Sequence, residues 1–391
     1  MPDWTLPEQF RAFAESAERD GGDTYAAICR GVAGDAVVLA LMRESPPAQR
    51  RPNLLLAAVH FLLLGGADHP LSAYYDTMSP RQGDSPRPGG HGVAAVFADF
   101  CRSHHDALLP LMATRSTQTN EVGRCAGLLP ALCHVAAGVE EDQPLSLLDL
   151  GASAGLNLLF DDYAYTYRQR TDGSVLHAGR LESDVAIAAT VRSDLSGLPG
   201  LNVPAVAERV GLDLSPLDPT SEDATRWLEA CLWPDNLPRF NRLRAAVAVA
   251  RTATHPPRLE RGDLVEDLAR VAGTIDPGGP LVVLHTWVAA YLTVERQREL
   301  VQAVRALARS RPVHHLYAES PHEVIGLGAP PSPEPARRSD YVTALVHTGP
   351  DGAYPVRLAD MHPHGKWIRW WPTPGAPTGR RAGPGPGPRP R

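Results

Sequence analysis

The first third of the chain has the hydrophobic pattern of a helical protein. Apolar residues recur every three or four positions, and no run alternates between apolar and polar residues as a half-buried strand does. This pattern predicts helices over residues 4–18, 25–31, 35–43, 53–64, 93–103 and 106–114. Residues 79–92 are rich in proline and glycine, which interrupt both periodicities, and they are predicted to form a loop.

The pattern changes at residue 145, where short apolar runs begin to alternate with helical stretches. The runs predict strands over residues 145–150, 206–213, 258–261, 281–284 and 313–317. Strands joined through helices pair in parallel, so the pattern predicts a doubly wound, mostly parallel α/β sheet. Two later runs, 341–347 and 354–360, predict an antiparallel hairpin that closes one edge of this sheet.

These patterns divide the chain into three regions. Residues 1–140 are predicted to form a helical N-terminal domain on the substrate side, and residues 141–371 an α/β domain. An insertion at 163–205 is predicted to cover the ligand-binding face of that domain. Its strand-like runs are 163–168, 175–178 and 184–191. The segment 372–391 consists mainly of proline, glycine and arginine and is predicted to be disordered, because it buries too little apolar surface to fold.

Charge and composition limit the classes of function. The net charge of −6 is spread along the chain without blocks of one sign, so no basic surface for nucleic acid is predicted. The most apolar run, 54–64, has eleven residues, whereas a membrane span needs about 20, and it is predicted to be a buried core helix. The first residues lack the basic start and apolar core of a signal peptide. We therefore expect a cytoplasmic protein without membrane contact.

Neither the cysteines nor the paired histidines near the end of the chain predict a metal site. The cysteines form no C-x-x-C pair and are expected to be reduced and buried. They are Cys29, Cys101, Cys125, Cys133 and Cys231. His362 and His364 lie close together in the sequence but lack a carboxylate or a third ligand, so aromatic packing explains them better.

A turn of small residues follows the first predicted strand, within the sequence Leu-Leu-Asp-Leu-Gly-Ala-Ser-Ala-Gly at 147–155. Small side chains let a ligand approach the backbone closely. Apolar residues then recur at helical spacing from Leu156, which predicts a helix whose N-terminus would suit a carboxylate or phosphate. A dinucleotide fingerprint would place glycines at 151, 153 and 156, and only Gly151 is glycine. A purely structural turn is the alternative interpretation.

The spacing from Asp149 to Gly155 resembles the first motif of class I S-adenosylmethionine-dependent methyltransferases. Ser153 stands where that motif usually has a middle glycine. The resemblance implies a class I methyltransferase-like Rossmann fold and S-adenosyl-L-methionine as cofactor. The residues that would bind the cofactor are Asp149, Gly151, Ala152, Ser153, Gly155, Asn157, Asp213, Asp263 and Thr286.

Two later carboxylates extend this cofactor prediction. Asp213 ends the next predicted core strand, where doubly wound folds place an acceptor for ribose hydroxyls. It lies 62 residues after Gly151, against about 20 in the simple unit, which is why an insertion is inferred. Asp263 also follows a strand, in a position like that of the residue that contacts the adenine amino group in methyltransferases. A strand-end aspartate is equally common as a helix cap.

The reaction face is predicted at the ends of the fourth and fifth strands, because ligands lie outside the carboxyl ends in such sheets. His285 is the candidate general base for an O- or N-acceptor, since histidine is the side chain that ordinarily changes charge near neutral pH. A buried, hydrogen-bonded histidine is the alternative. Tyr291 and Glu319 are the other candidate catalytic residues, and Thr286 would lie beside the cofactor.

A polar segment, 114–124, precedes the predicted sheet. A helix capped by Ser116 or Thr117 would place Asn120 and Arg124 on one face, with Glu121 close to Arg124. We predict that Asn120, Glu121 and Arg124 line the pocket of a small-molecule substrate. A polar network between domains would use the same residues.

Four motifs together resemble one bacterial family of uncharacterised proteins, DUF2332, over roughly residues 10–370. They lie at 118–124, 151–158, 213–218 and 233–235. The family resemblance carries no established reaction, and fold analogy does not fix chemistry. The prediction of function comes from the methyltransferase-like motif at 149–155, which implies a methyltransferase acting on a small molecule. The alternatives are a nucleotide-binding or regulatory protein without methyl transfer, or a nicotinamide-dependent oxidoreductase, against which the missing glycines argue.

Overall fold

The computed structural model describes residues 4–78, 92–140, 143–334, 342–350 and 354–371. The predicted tail at 372–391 and the predicted loop at 79–92, apart from Gly92, lie outside the described residues. Contacts divide the chain into two compact units. The helical unit comprises residues 1–121 and 217–254, and the sheet unit comprises residues 122–216 and 255–391.

The predicted helices of the first third are confirmed, with ends that differ by a few residues. The α-helices are α1 Leu6–Arg19, α2 Asp23–Val32, α3 Ala36–Glu44, α4 Pro52–Leu64, α5 Val93–Ser103, α6 His105–Thr114, α7 Cys125–Ala136, α8 Glu222–Ala230, α9 Leu237–Thr252, α10 Leu268–Ala272 and α11 Val294–Leu307. Helices α1–α6, α8 and α9 belong to the helical unit. Helix α4 is buried over most of its length, as its apolar run predicted.

The motif at 233–235 stabilises the helical unit. The Trp233 ring packs so closely on Gly22 that a Cβ there would lie 2.4 Å from it. The Asp235 carboxylate accepts the backbone N–H and the hydroxyl of Thr24, at 2.9 and 2.6 Å, in the first turn of α2. These residues therefore fix how the chain enters α2, and the motif has a structural role.

No single helix in the described parts of the chain is long and apolar enough to cross a membrane. Helices α2 and α3 reach the length and apolar composition of a membrane span only when they are counted together, and the chain bends by 93° at the break between them.

All described strands form one mixed sheet in the sheet unit, with more parallel than antiparallel pairs. The strands are β1 Leu145–Leu150, β2 Ala164–Gln169, β3 Val175–Gly179, β4 Ala186–Val191, β5 Val206–Asp213, β6 Arg258–Arg261, β7 Leu281–Thr286, β8 Val313–Glu319, β9 Thr343–Thr348, β10 Val356–Met361 and β11 Trp367–Trp370. Their order across the sheet is β3-β2-β4-β11-β10-β9-β8-β7-β1-β5-β6. The five predicted core strands, β1 and β5 to β8, are confirmed.

The chain reverses its direction across the sheet at β1. Strand β1 pairs with β5 on one side and with β7 on the other, and all three run parallel. Helices α10 and α11 pack on one face of these strands. Such a reversal opens a crevice at the carboxyl ends of the two middle strands, which is the usual ligand position in open α/β sheets.

Two predictions about the sheet were wrong. The antiparallel pair β9 and β10 forms as expected, but it lies inside the sheet, because β11 and β4 continue beyond β10. The insertion forms strands β2, β3 and β4, which extend the same sheet and do not cover its ligand-binding face. Five strands separate β4 from β1, a distance of about 29 Å along the sheet.

The division into units also differs from the predicted boundary near residue 140. Helix α7 groups with the sheet unit, while α8 and α9 return to the helical unit. The helix expected from Ser116 or Thr117 begins only at Cys125, after an irregular segment and a 3-10 turn at Val122–Arg124. The polar residues of 116–121 are therefore held by tertiary contacts and not by a helix.

Candidate functional site

The turn after β1 has the backbone conformation that its glycines predict. Gly151 and Gly155 have φ of +73° and +70°, in the left-handed region where glycine is favoured. A Cβ on Gly151 would lie 2.5 Å from the Val288 side chain, and one on Gly155 would lie 3.0 Å from Leu259. The two glycines are therefore required by backbone conformation and by close packing inside the sheet unit.

The α-helix expected after this turn is absent. Residues Leu156–Asp162 form a 3-10 segment, and Leu159 within it departs from helical angles. Two tyrosine hydroxyls, of Tyr163 and Tyr165, donate to the carbonyl oxygens of Leu156 and Phe160 at 2.6 Å. These carbonyls would otherwise accept the bonds of a continuing helix. The prediction of a helix N-terminus facing a ligand is therefore wrong.

Asp213 joins the end of β5 to the turn. Its Oδ2 accepts the backbone N–H of Ser153 at 2.9 Å, and its Oδ1 accepts that of Ser215 at 2.7 Å. Ser153 itself has φ of +54°, and its buried Oγ has no hydrogen-bond partner among the described residues. The carboxylate and the turn therefore hold one another in place, a contact that the sequence analysis did not predict.

Asp149, near the end of β1, and Arg124, just before α7, are both buried. Burial raises the pKa of the Asp149 carboxyl well above its usual value, Asp213 adds to the increase, and Arg124 opposes it. The Arg124 guanidinium donates from Nη1 to the carbonyl and the hydroxyl of Thr286, at 3.1 and 3.2 Å, and from Nε to the Pro363 carbonyl at 3.0 Å. Arg124 thus lies at the end of β7, beside a carboxyl group that resists ionisation.

The raised pKa of Asp149 makes stability depend on pH. Its folded pKa exceeds the unfolded one, so its contribution to stability is greatest below the unfolded pKa and is lost as pH rises towards the folded pKa. We expect Asp149→Asn, which cannot ionise, to raise the free energy of unfolding at about pH 8 by about 1 to 3 kcal/mol. At about pH 4 the same substitution should change little. Urea midpoints at the two pH values measure this, and an equal effect at both would contradict it.

A second strained residue follows the neighbouring strand β7. Trp287 has φ of +55°, and with Ser153 it completes the set of described non-glycine residues with positive φ. Its backbone N–H bonds the Ala318 carbonyl at 3.1 Å, and its indole N–H bonds the Thr343 hydroxyl at 2.9 Å. Strained backbone concentrates at functional sites. Here it occurs just after β1 and just after β7, at the point where the sheet reverses direction.

His285 and Glu319 are both enclosed and lie on the other face of the sheet. His285 Nδ1 is 2.7 Å from Glu319 Oε1, and its Nε2 is 3.1 Å from His315 Nε2. His285 pairs in register with Leu150, whose side chain packs with α10 and α11, whereas Asp149 pairs with Leu284 and points the opposite way. The structure therefore matches the alternative of a buried, hydrogen-bonded histidine, and Tyr291 is 73% exposed, outside this group.

Asp263 has the contacts of a capping residue. Its Oδ1 accepts the N–H groups of Val265 and Glu266 at 2.8 and 3.0 Å, and it pairs with Arg296 at 2.7 Å. The sequence analysis left two interpretations of Asp263 open, contact with adenine and a helix cap, and these bonds are those of a cap. Asn157, another predicted cofactor residue, is buried, and its Oδ1 lies 3.5 Å from Cys125 Sγ.

The three predicted substrate residues do not belong to one unit. Asn120 and Glu121 are in the helical unit, and Arg124 is in the sheet unit. Glu121 is buried and pairs with Arg239 at 2.6 Å and Arg242 at 3.1 Å, both on α9. These contacts are those of a polar network inside the helical unit.

Trp287 was not predicted as a site residue, although it follows the fourth predicted strand as closely as Thr286 does, and that position was the signal used for Thr286.

No group of three potential metal ligands occurs within the described ranges. All five cysteines are free thiols.

Comparison with known protein families identifies the family of this chain. A family described as "Uncharacterized protein conserved in bacteria (DUF2332)" matches residues 7–370. No curated protein matches the chain.

Proposed function

The chain belongs to the DUF2332 family of bacterial proteins, and we propose that it binds S-adenosylmethionine at the carboxyl ends of β1, β5 and β7. We further propose that it transfers the methyl group to an O- or N-acceptor on a small molecule. Numbered along the chain, the five strands β6-β5-β1-β7-β8 follow the order 3-2-1-4-5, which is that of nucleotide-binding doubly wound folds. This order and the methyltransferase-like motif support the proposal together.

The observation that carries the proposal is the link between Asp213 and Ser153. Each carboxylate oxygen of Asp213 accepts one backbone N–H, which leaves acceptor capacity for two ribose hydroxyls. The buried Ser153 Oγ has no partner among the described residues, so a ligand group would satisfy it. The residues present therefore fit a ribose-containing cofactor.

The remaining groups of the site suit the amino-acid end of the cofactor. Arg124 would favour a carboxylate because it is buried and positively charged, and an ammonium group beside Asp149 would favour the ionised form of that carboxyl group. When bound, the cofactor supplies a methyl group already activated by its sulfonium centre. The chain's own contribution would then be to fix the two reactants in line and to exclude water.

One observation favours a second candidate, a binding protein without methyl transfer. His285 is fully buried, and both its ring nitrogens lie within hydrogen-bond distance of Glu319 or His315. It is therefore not placed to take a proton from an acceptor. An enzyme that relies on positioning alone does not need this base, so ligand binding and methyl transfer must be tested separately.

Calorimetric titration of the purified protein with S-adenosylmethionine, S-adenosylhomocysteine and NAD tests the binding step. We expect both sulfur ligands to bind and NAD not to bind. Asp213→Asn should weaken S-adenosylhomocysteine about 30-fold, the equivalent of about 2 kcal/mol for charged hydrogen bonds that become neutral. Absence of binding by either sulfur ligand to the unchanged protein would overturn the proposal.

Asp218→Asn is the matched control for this titration. Asp218 accepts the N–H of Thr220, two residues ahead, just as Asp213 accepts that of Ser215, but it belongs to the other unit. Its substitution should leave the affinity unchanged. For transfer, cell extract with an isotopically labelled methyl donor should yield a labelled small molecule, and binding without labelling would favour the second candidate.

A further inference from the structure

Glu319 gathers three hydrogen-bond donors on one oxygen. Its Oε1 is 2.7 Å from His285 Nδ1, 3.0 Å from the backbone nitrogen of Val288 and 3.2 Å from that of Ala289. The side chain is fully buried, and Oε2 has no partner in the described part of the chain. A carboxylate in such a place is stabilised mainly by these three donors.

The two backbone donors belong to the loop that follows β7 and packs against the glycine turn. This loop, residues 286–289, contains Trp287 at φ of +55°, and the Val288 side chain lies over Gly151 at the distance that excludes a Cβ there. The loop also supplies Thr286, which binds Arg124. Its position therefore determines the shape of the candidate site on the β7 side.

We propose that Glu319 is a positioning residue that holds loop 286–289 in its strained conformation against the glycine turn. Glu319 lies on the α10 and α11 face of the sheet, as His285 does, so it acts through the backbone of the loop and not on a ligand. The His285 ring, itself bonded to His315, keeps the carboxylate aimed at the two N–H groups. The effect on ligand affinity rests on the proposed function, whereas the effect on the loop does not.

Amide hydrogen exchange of peptides covering 286–290 tests the loop directly. In Glu319→Ala, the Val288 and Ala289 amides should exchange on the order of a hundred times faster than in the unchanged protein, because their acceptor is gone. Glu319→Gln keeps an oxygen at the same reach and should stay within about threefold. Exchange of β7 amides at 281–284 should not change in either variant.

Two further variants keep the test decisive if the alanine variant does not fold. Glu319→Asp retains the charge but withdraws the carboxylate by about 1.5 Å, so its loop amides should exchange faster than those of Glu319→Gln. His314→Asn replaces a histidine on the opposite face of the same strand, where it bonds His347, and should leave loop exchange unchanged. Faster exchange in Glu319→Gln than in Glu319→Asp would overturn the proposal.

Titration of the same variants with S-adenosylhomocysteine separates the two ideas. We expect affinity to fall about tenfold in Glu319→Asp, about 1.4 kcal/mol, and to stay near that of the unchanged protein in Glu319→Gln. If the unchanged protein binds no sulfur ligand, the proposed function fails and exchange alone decides the role of Glu319. The third outcome is that the unchanged protein binds, and that Glu319→Asp binds as tightly as Glu319→Gln although its loop amides exchange faster. In that case Glu319 positions the loop without affecting the ligand, and the affinity part of the proposal is overturned.

Discussion

Replacing Gly365 with alanine is expected to destabilise the sheet unit by about 3 to 5 kcal/mol, the sum of backbone strain and overpacking. Gly365 lies in the turn between β10 and β11 with φ of +70°. A Cβ there would lie 1.8 Å from the Gly123 carbonyl oxygen and 2.4 Å from its carbon. Because both atoms belong to the backbone, no side-chain rotation relieves the overlap.

Gly328→Ala provides the matched control for this substitution. Gly328 has the same φ of +70°, but nothing lies within 4 Å of its expected Cβ. Its replacement should cost only the backbone term, about 1 to 2 kcal/mol. Free energies of unfolding from urea denaturation measure both, and equal values for the two variants would show that the predicted overlap is relieved.

The Gly365 turn also connects stability with the candidate site. The Pro363 carbonyl in this turn accepts Arg124 Nε at 3.0 Å, and the backbone nitrogen of Arg124 lies 3.3 Å from the expected Cβ of residue 365. A displaced turn therefore moves an acceptor of the Arg124 guanidinium. Ligand affinity should fall in Gly365→Ala and stay unchanged in Gly328→Ala.

The elements of this fold were predictable because their signals are local. Helix α5 was predicted with its observed ends, and strands β1, β5 and β6 likewise, since a few neighbouring residues carry each periodicity. The order of the strands in the sheet, in contrast, depends on contacts between segments that are far apart in the sequence. Strands β2 to β4 look in sequence like an independent insertion, yet β4 pairs with β11, about 180 residues later. Nothing in either segment alone specifies that partner.

The candidate site was predictable as far as a motif described it. Asp149, Gly151, Ser153 and Asp213 do meet at the ends of β1 and β5. The direction of His285 was not predictable, because every residue of β7 is buried and no alternation reveals its two faces. His285 and Thr286 are neighbours in sequence, but only Thr286 shares a face with Asp149, which pairs with Leu284. The catalytic assignment of His285 depended on that missing information.

The second large effect is expected for Arg124→Met. The methionine fills similar volume but leaves the buried Asp149 without the positive charge of Arg124, which lowers its pKa, and leaves the acceptors of Thr286 and Pro363 unmatched. We expect a loss of about 3 to 5 kcal/mol in the free energy of unfolding at about pH 8, because buried acceptors lose their donor and the Asp149 carboxyl loses a nearby positive charge. Arg124→Lys keeps the charge but not the fork of donors, and should lose less.

Arg209→Met is the control for removal of an arginine in the same unit. Arg209 pairs with Asp161 through two bonds at 2.9 and 2.6 Å, but the Asp161 side chain is 21% exposed and remains in contact with water. Arg209→Met should therefore lower the free energy of unfolding less than Arg124→Met does, because water replaces the lost partner of Asp161. A cost equal to that of Arg124→Met would show that burial of Asp149 is not the cause.

The double variant Arg124→Met with Asp149→Asn isolates the interaction between the two groups. In Arg124→Met alone, the folded pKa of Asp149 rises further, so the loss of stability should grow as pH rises and shrink as the carboxyl takes up its proton. In the double variant that pH dependence should disappear, because the amide at position 149 does not ionise. The remaining loss, at every pH, then measures the contacts of Arg124 other than its interaction with Asp149, among them the hydrogen bonds to Thr286 and Pro363. If the loss of stability in the double variant still grows with pH, then the titrating group that Arg124 stabilises is not Asp149.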